Sequence, residues 1–262
     1  MFNTYEFTYA GIPASMFGMY VADISSKKHS ANSFGTKANM VETRIANRIT
    51  PIHFGVRWHD QPLSFSLIFG ADRILDRFEM QEISKWLMGY QKYQWMSIDQ
   101  PDMEHLQFRC IIQELTPVHN VWLPMAFEAK IQCDCPYAYS YPFEKNFQIN
   151  GETKTRFYND STCRELLRPQ MKINLSAECT DFSVRNETVG EDALQLTGLP
   201  SGGLTIMIDH ENGVLTEKIA GYDLYDYFNF RFLGLAPGDN ELVFNGSGTV
   251  TISGRYLYNV GA

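Results

Sequence analysis

Regular alternation of apolar and polar side chains constrains this chain more than any other feature of its sequence. Apolar residues occupy every second position between Leu63 and Phe69, and the same period recurs from Phe127 to Cys135 and from Met171 to Cys179. Successive side chains of a strand point to opposite faces, so this period is typical of strands that bury one face. The chain is therefore predicted to be mainly β.

One segment departs from that period and favours a helix. Between Asp72 and Gly89 the apolar residues fall near helical spacing. They are Leu75, Phe78, Ile83, Trp86 and Leu87. Asp72 is the predicted N-cap, and Gly89 is placed to end the helix. We therefore predict one amphipathic helix over about residues 72–89, packed on a sheet as part of a mixed β domain.

A change in composition divides the chain into two predicted domains. Two prolines bracket three tyrosines within residues 136–142, which suits neither a helix nor a central strand. We place an N-terminal domain at residues 1–141 and a C-terminal domain at residues 142–262. In the second domain Glu211-Asn212-Gly213 lies between two apolar runs and predicts a hairpin with a type I′ turn. Several short strands separated by turns are typical of a β-sandwich.

Composition and charge exclude several classes of protein. The net charge of −8 disfavours nucleic-acid recognition, because phosphate contacts need clustered Lys and Arg. No apolar run approaches the ~20 residues of a membrane span. The first residues lack the basic and apolar regions of a signal peptide. The five Cys do not have the spacing of a disulfide framework. We expect a soluble protein made in a reducing cytoplasm.

Charge is distributed unevenly along the chain. Between Ser25 and His59 there are six basic residues and one acid, whereas the chain from Glu187 onward carries ten acids and three bases. The polar stretch at about residues 25–49 is predicted to be an exposed arm. We expect this arm to reach acidic surface of a neighbouring copy; a simply solvated surface is the alternative. The candidate subunit-contact residues are Lys27, Lys28, Arg44 and Arg48.

No pattern of catalytic residues is present. The chain has no Gly-x-Ser-x-Gly elbow, phosphate loop or dinucleotide fingerprint. His53 and His59, with Asp60 adjacent, are the nearest approach to a metal-ligand set, but a third ligand is missing. Cys133 and Cys135 share the apolar parity of their strand and are predicted to be free, buried and metal-free. We predict no enzyme activity, no metal and no cofactor.

The order of several segments carries a family resemblance. They are Phe7…Gly11…Ser15-Met16-Phe17-Gly18-Met19-Tyr20-Val21, Cys135-Pro136-Tyr137-Ala138, Ile149-Asn150-Gly151, Phe157-Tyr158-Asn159-Asp160, Arg168-Pro169-Gln170-Met171-Lys172-Ile173 and Leu235-Ala236-Pro237-Gly238-Asp239-Asn240-Glu241-Leu242-Val243-Phe244. In this order, with a polar arm and one helix between the first two, they resemble the siphophage distal tail protein family over nearly the whole chain.

The resemblance implies a structural role in the virion. It implies an N-terminal ring-forming domain and a C-terminal galectin-like β-sandwich. Copies would form a homo-oligomeric six-fold ring at the tail tip of a long-tailed phage or prophage, assembled in the host cytoplasm. That ring would join the tail tube protein to the tail-tip hub or receptor-binding proteins, without contacting a membrane and without a cofactor.

An aromatic run keeps a second function open. Residues 221–230 combine five Tyr and Phe side chains with two acids. Such a run can form a carbohydrate platform or a protein interface, since Tyr is enriched at both, or a strand with one buried aromatic face. The alternative function is a carbohydrate-binding β-sandwich protein that contacts host cell-wall polysaccharide.

Overall fold

The structure is a computed structural model that describes residues 4–22, 36–46, 48–101, 103–120, 123–216 and 223–260. The chain divides into two compact units. The N-terminal unit comprises Met1–Tyr139 with Asn259–Ala262, and the C-terminal unit comprises Ser140–Tyr258. Both are built mainly of antiparallel strands, so the predicted mainly β fold is confirmed.

The N-terminal unit contains one α-helix among its described residues. Its elements are β1 (Thr4–Tyr5), β2 (Phe7–Tyr9), β3 (Ile12–Pro13), the 3-10 helix η1 (Ala14–Phe17), β4 (Met19–Ala22), β5 (Thr36–Thr43), β6 (Ile52–Asp60), β7 (Ser64–Ala71), α1 (Arg77–Met88), β8 (Gln94–Ile98), β9 (Leu106–Asn120) and β10 (Leu123–Cys133). A further strand, β11 (Ala138–Ser140), follows at the boundary. Eight strands of a ten-stranded sheet lie in the order β1-β4-β7-β10-β9-β8-β2-β3, and β11 pairs with β9 beside this path. The strands β5 and β6 form a separate pair.

The core of this unit lies between the large sheet and α1. The alternation predicted for β7 and β10 is present: Phe69 and Phe127 are paired across the two strands, and both are buried. Trp86 of α1 stacks on Phe7 and Phe17, with ring centroids 5.8 Å and 4.6 Å away. The helix therefore covers one face of the sheet, as expected for an amphipathic helix.

The helix begins later than predicted. Its N-cap is Asp76 and not Asp72, because Asp76 and Glu79 form a capping box. The Asp76 carboxylate accepts the Glu79 N–H at 2.8 Å, and the Glu79 carboxylate accepts the Asp76 N–H at 2.9 Å. Asp72 lies outside the helix, where its carboxylate pairs with Arg73 at 3.1 Å. The helix ends at Met88 with Gly89 as its C-cap, as predicted.

Removing the cap should destabilise this unit measurably. We expect Asp76→Ala to lower the free energy of unfolding by about 1 kcal/mol, because the Glu79 N–H loses its acceptor. Urea denaturation followed by circular dichroism measures the change. Asp72→Ala is the control, since it removes an exposed carboxylate of the same type without touching the cap. Equal losses in the two variants would contradict the assignment of Asp76 as the cap.

The C-terminal unit consists of two antiparallel sheets. Its elements are β12 (Phe143–Asn150), β13 (Thr153–Asn159), β14 (Gln170–Leu175), β15 (Phe182–Asn186), β16 (Leu194–Leu196), β17 (Thr205–Asp209), β18 (Val214–Leu215), the 3-10 helix η2 (Leu224–Tyr227), β19 (Gly238–Asn245), β20 (Ser247–Gly254) and β21 (Leu257–Tyr258). One sheet has the order β12-β20-β14-β17-β18 and the other β13-β19-β15-β16.

A single core joins these two sheets into a β-sandwich. Ile173 and Val250 are paired in the five-stranded sheet, and Val184 and Phe244 are paired in the four-stranded sheet. All four side chains are buried in one hydrophobic cluster. Residues on the inner faces of two packed sheets alternate with polar outward residues, which accounts for the period of two in this half of the chain.

The predicted hairpin is present, but its turn differs from the expected type. Asp209 pairs with Val214, which leaves a four-residue loop at 210–213. Only Gly213 among these loop residues has a positive φ, of 67°, whereas a type I′ turn needs two. The Asp209 carboxylate accepts the N–H groups of Glu211 and Asn212 at 3.1 and 3.0 Å. A turn closed by the Asp209 side chain takes the place of the type I′ turn, so the predicted turn type was wrong.

Candidate functional site: an exposed hairpin arm

The pair β5–β6 stands apart from the large sheet, and we call residues 36–60 the hairpin arm. The chain enters it from β4 and leaves it toward β7, and these two strands are themselves paired in the sheet. A nine-residue strand such as β6 is about 30 Å long. The arm is therefore a long excursion that lies in sequence between two strands that are paired in the sheet of the N-terminal unit.

The arm exposes large apolar side chains. Met40 and Phe54 are 70% and 66% exposed, and Ile49 is fully exposed. Val41 and Ile45 are also exposed. A two-stranded hairpin without further packing is marginally stable in water, and clustered exposed apolar side chains are typical of interaction surfaces. The composition of the arm therefore fits a segment that is covered by a partner.

A bulge shapes the arm near its middle. Val41 is opposite Gly55 while Glu42 is opposite His53, so Phe54 is the additional residue on β6. Gly55 has a φ of 133°, a conformation that side-chain-bearing residues rarely adopt. Bulges bend a strand and redirect side chains, which accounts for the exposed position of Phe54. The bulge lies between His53 and His59, the pair considered as metal ligands, so strict alternation does not relate these two positions.

The predicted contact residues fall partly on the arm. Arg44 and Arg48 are exposed in the turn region that joins β5 to β6, where the Arg48 N–H donates to the Ile45 carbonyl at 3.2 Å. Neither guanidinium forms an ion pair with another described residue. Lys27 and Lys28 lie outside the described residues, as does the predicted arm before residue 36.

Part of the acidic surface predicted to meet the arm is already neutralised within the C-terminal unit. Glu187 pairs with Arg185 at 2.6 Å, and Glu191 pairs with Arg168 at 3.2 Å. Because these acids are already paired, they are less available to attract the basic residues of the arm than the sequence had indicated. Exposed apolar surface is the stronger feature of the arm. The sequence did not reveal it, because the apolar residues of the arm are scattered through a polar segment without a clear period.

The cysteines are placed for packing and not for reaction. Cys110 and Cys133 are buried partners on β9 and β10. Cys135 is only half-buried, because β10 ends at Cys133, so the prediction that both thiols of the Cys133/Cys135 pair are buried is wrong for Cys135. Burial raises the pKa of Cys110 to about 12 and that of Cys135 to about 11. Both thiols are therefore protonated at neutral pH, the unreactive form.

The aromatic run differs from one of the three arrangements considered from the sequence. Residues 224–227 form η2, so the run is not a strand with one buried face. Phe228 is buried, whereas Phe230 is exposed and has a positive φ of 57°.

Within the described ranges, no group of three or more His, Cys, Asp or Glu residues is placed to hold a metal ion. No helix in that part of the chain is both long enough and apolar enough to span a membrane.

Comparison with known families covers nearly the whole chain. Residues 2–135 match the phage tail protein N-terminal domain, and residues 137–254 match the phage tail C-terminal domain. The SPbeta prophage-derived protein YomH of Bacillus subtilis (strain 168) is 23% identical over 207 residues, which cover 76% of this chain and 77% of YomH.

Comparison with solved structures shows a shared fold. The SPP1 Dit (gp 19.1) protein, described as a paradigm of the hub adsorption apparatus in phages that infect Gram-positive bacteria, superimposes with a TM-score of 0.65 at 12% identity. The match covers 97% of this chain and 100% of Dit. A chain of the phage p2 baseplate in its activated conformation matches with a TM-score of 0.51 at 12% identity, covering 96% and 97% of the two chains.

Proposed function

Because this chain belongs to the phage tail protein family, we propose that its copies form a six-fold ring at the distal end of the tail of a long-tailed phage or prophage. The fold shared with SPP1 Dit and with a p2 baseplate chain supports this position in the tail. The role is structural and not enzymatic. The ring joins the tail tube protein on one side to the tail-tip hub or receptor-binding proteins on the other, and it is assembled in the host cytoplasm.

The observation that carries the proposal is the apolar exposure of the hairpin arm. A closed ring needs a heterologous interface, in which one surface of each copy meets a different surface of the next copy. Met40, Ile49 and Phe54 give the arm a surface that is unfavourable in water and favourable when covered. The N-terminal unit that carries the arm is the ring-forming domain.

A second apolar surface on the same unit is suited to receive the arm of a neighbouring copy. Met16 of η1, Ile74 before α1 and Phe78 in the first turn of α1 are all exposed. The Asp72 N–H donates to the Gly18 carbonyl at 3.0 Å, which holds η1 close to the segment leading into α1. We call these three side chains the receiving surface. It differs from the arm, as a heterologous interface requires.

Charge orients the arm and adds less to its affinity. Arg44 and Arg48, together with Lys27 and Lys28, are the cations proposed to face acidic surface of the neighbour. Glu211, Asp226 and Asp239 are exposed and form no ion pair with other described residues. Such exposed pairs contribute little energy each and weaken with salt.

The purified full-length protein tests this proposal directly. Negative-stain images should show rings in top view, and light scattering coupled to gel filtration should give six times the mass of one chain. Because apolar contacts dominate the proposed interface, rings should persist at high salt. A protein that stays monomeric at every concentration and salt tested would contradict self-assembly through the arm.

A further inference from the structure

A cleft in the C-terminal unit is not used by the proposed ring interface. It has a volume of about 530 Å³ and is lined by both charged and aromatic side chains. Pockets that bind small ligands commonly combine apolar walls with a few fixed polar groups. Three features of this cleft indicate what kind of ligand it fits.

The first feature is that its charges are paired. Arg168 Nη2 lies 3.2 Å from Glu191 Oε1, and Arg231 Nη2 lies 3.1 Å from Asp192 Oδ2. The Arg168 guanidinium also donates to the Phe232 carbonyl at 2.9 Å. Two cations and two anions cancel, so these side chains do not favour a charged ligand of either sign. Their planar groups still offer hydrogen-bond donors and acceptors in fixed directions.

The second feature is an aromatic ring held in a strained and exposed position. Phe230 is exposed with a φ of 57°, a region that bulky residues rarely adopt. The Asn229 side-chain oxygen accepts the N–H groups of Gln195 and Arg231 at 3.1 and 3.2 Å, which fixes the loop on both sides of the ring. The Phe230 ring stacks on Tyr225 with centroids 5.9 Å apart. The loop thus presents a rigid aromatic surface beside the cleft.

The third feature is a buried donor without a partner. His210 is only 4% exposed, and its Nδ1 accepts the Leu233 N–H at 3.1 Å. The remaining proton of the neutral ring is therefore on Nε2, which finds no acceptor among the described residues. Burial lowers the pKa of His210 to about 3, so the ring is neutral at neutral pH. An unpaired buried donor is costly, and a ligand oxygen would satisfy it.

We propose that this cleft binds a neutral saccharide. Sugars have an apolar C–H face and hydroxyl groups that both donate and accept, which matches a fixed aromatic ring beside paired Arg and carboxylate groups. One sugar face packs on Phe230, hydroxyl groups bond to the Arg168–Glu191 and Arg231–Asp192 pairs, and one sugar oxygen accepts from His210 Nε2. The half-buried Phe232 ring lines the same cleft and meets the His210 ring edge-on, with centroids 5.8 Å apart. This binding does not depend on ring formation.

Ligand-observed NMR tests the proposal on the full-length protein in whatever oligomeric state it adopts. The probes are glucose, galactose and N-acetylglucosamine, with glycerol 1-phosphate as a charged comparison. We expect saturation transfer from the protein to at least one neutral sugar and none to glycerol 1-phosphate. Absence of transfer to all three sugars would overturn the proposal, and transfer to glycerol 1-phosphate alone would overturn the neutral character of the ligand.

Two matched variants test whether the sugar binds in the cleft. Phe230→Asn removes the aromatic ring while keeping a residue that tolerates positive φ, so the loop conformation should survive. It should weaken sugar binding by about 3- to 10-fold, the range expected for loss of one aromatic contact. Tyr158→Ser removes an equally exposed aromatic side chain elsewhere in the same unit and should leave binding unchanged; both residues are 60% exposed. Equal binding by the Phe230→Asn variant and the wild type would exclude the cleft.

Discussion

Ring assembly is expected to be lost when Met40, Ile49 and Phe54 of the hairpin arm are all replaced by serine. Covering a large apolar side chain stabilises a complex by about 1.5–3 kcal/mol, so three such losses remove several kcal/mol from each subunit interface. The three residues are exposed in the single chain, and substitutions at such positions usually change folding stability by less than about 0.5 kcal/mol. Light scattering coupled to gel filtration should therefore show a folded monomer.

Two controls separate apolar contact from charge and from general surface change. Met207→Ser removes an exposed apolar side chain of the C-terminal unit and should leave the rings intact. The double variant Arg44→Glu/Arg48→Glu should weaken assembly at low salt and approach the wild type at high salt, because exposed charges are screened. Rings that persist in the triple serine variant would show that the arm does not hold the neighbouring copy.

The second large effect is expected at Asn240 in the C-terminal unit. Its side chain is fully buried, and its four hydrogen-bonding positions are all used. Its oxygen accepts the Ala236 N–H and the Asn186 amide, both at 2.8 Å. Its amide donates to the carbonyls of Ala236 and Gly238 at 2.7 and 2.9 Å. Asn240 thus fastens the loop that precedes β19.

Asn240→Ala should lower the free energy of unfolding by about 3–6 kcal/mol. The substitution removes the partner of two donors and of the Gly238 carbonyl, while the Ala236 carbonyl keeps the Asn159 amide at 3.1 Å. Each buried group that loses its partner costs about 1–3 kcal/mol, with partial relief by relaxation. Urea denaturation measures the loss. Asn245→Ala, at the exposed end of the same strand, is the control and should cost less than about 1 kcal/mol. Similar losses at the two positions would contradict the role given to Asn240.

Asn240→Asp should make the free energy of unfolding depend on pH at the same site. The new carboxylate would face the Ala236 and Gly238 carbonyls without a proton to donate, so burial and these acceptors should raise its pKa in the folded state. An acid whose pKa is raised on folding destabilises the protein progressively as the pH rises from its unfolded-state pKa, and fully above its folded-state pKa. The deficit of this variant relative to the wild type should therefore shrink as the pH falls and the carboxyl group regains a proton.

The family and the fold class were accessible from the sequence. The resemblance to siphophage distal tail proteins is confirmed by the match of both halves of the chain to phage tail domains and by the fold shared with SPP1 Dit. The mainly β structure followed from the period of two at Phe127–Cys133, since alternation records which face of a strand is buried. Trp86 and Leu87 likewise marked the buried face of the one helix.

Predictions were wrong where a local sequence pattern is compatible with more than one structure. Asp72 and Asp76 are both acceptable N-caps by residue type, and only the reciprocal bonds with Glu79 selected Asp76. Cys135 has the parity of a buried residue, but the strand ends at Cys133 and the alternation no longer applies beyond it. At the β17–β18 hairpin, the Asp209 carboxylate replaced the turn that Asn-Gly favours.

The sequence by itself therefore determined which residues form strands, where the helix lies and to which family the chain belongs, because periodicity and residue order are properties of the chain. The tertiary structure decided which apolar side chains remained exposed and which residues distant in sequence came into contact. The exposure of Phe54 depends on the separation of β5–β6 from the large sheet. The cleft joins Arg168 to Glu191 across 23 residues of chain, and His210 to Leu233 across another 23. Such pairings depend on which strands become neighbours, a long-range choice that no local pattern encodes.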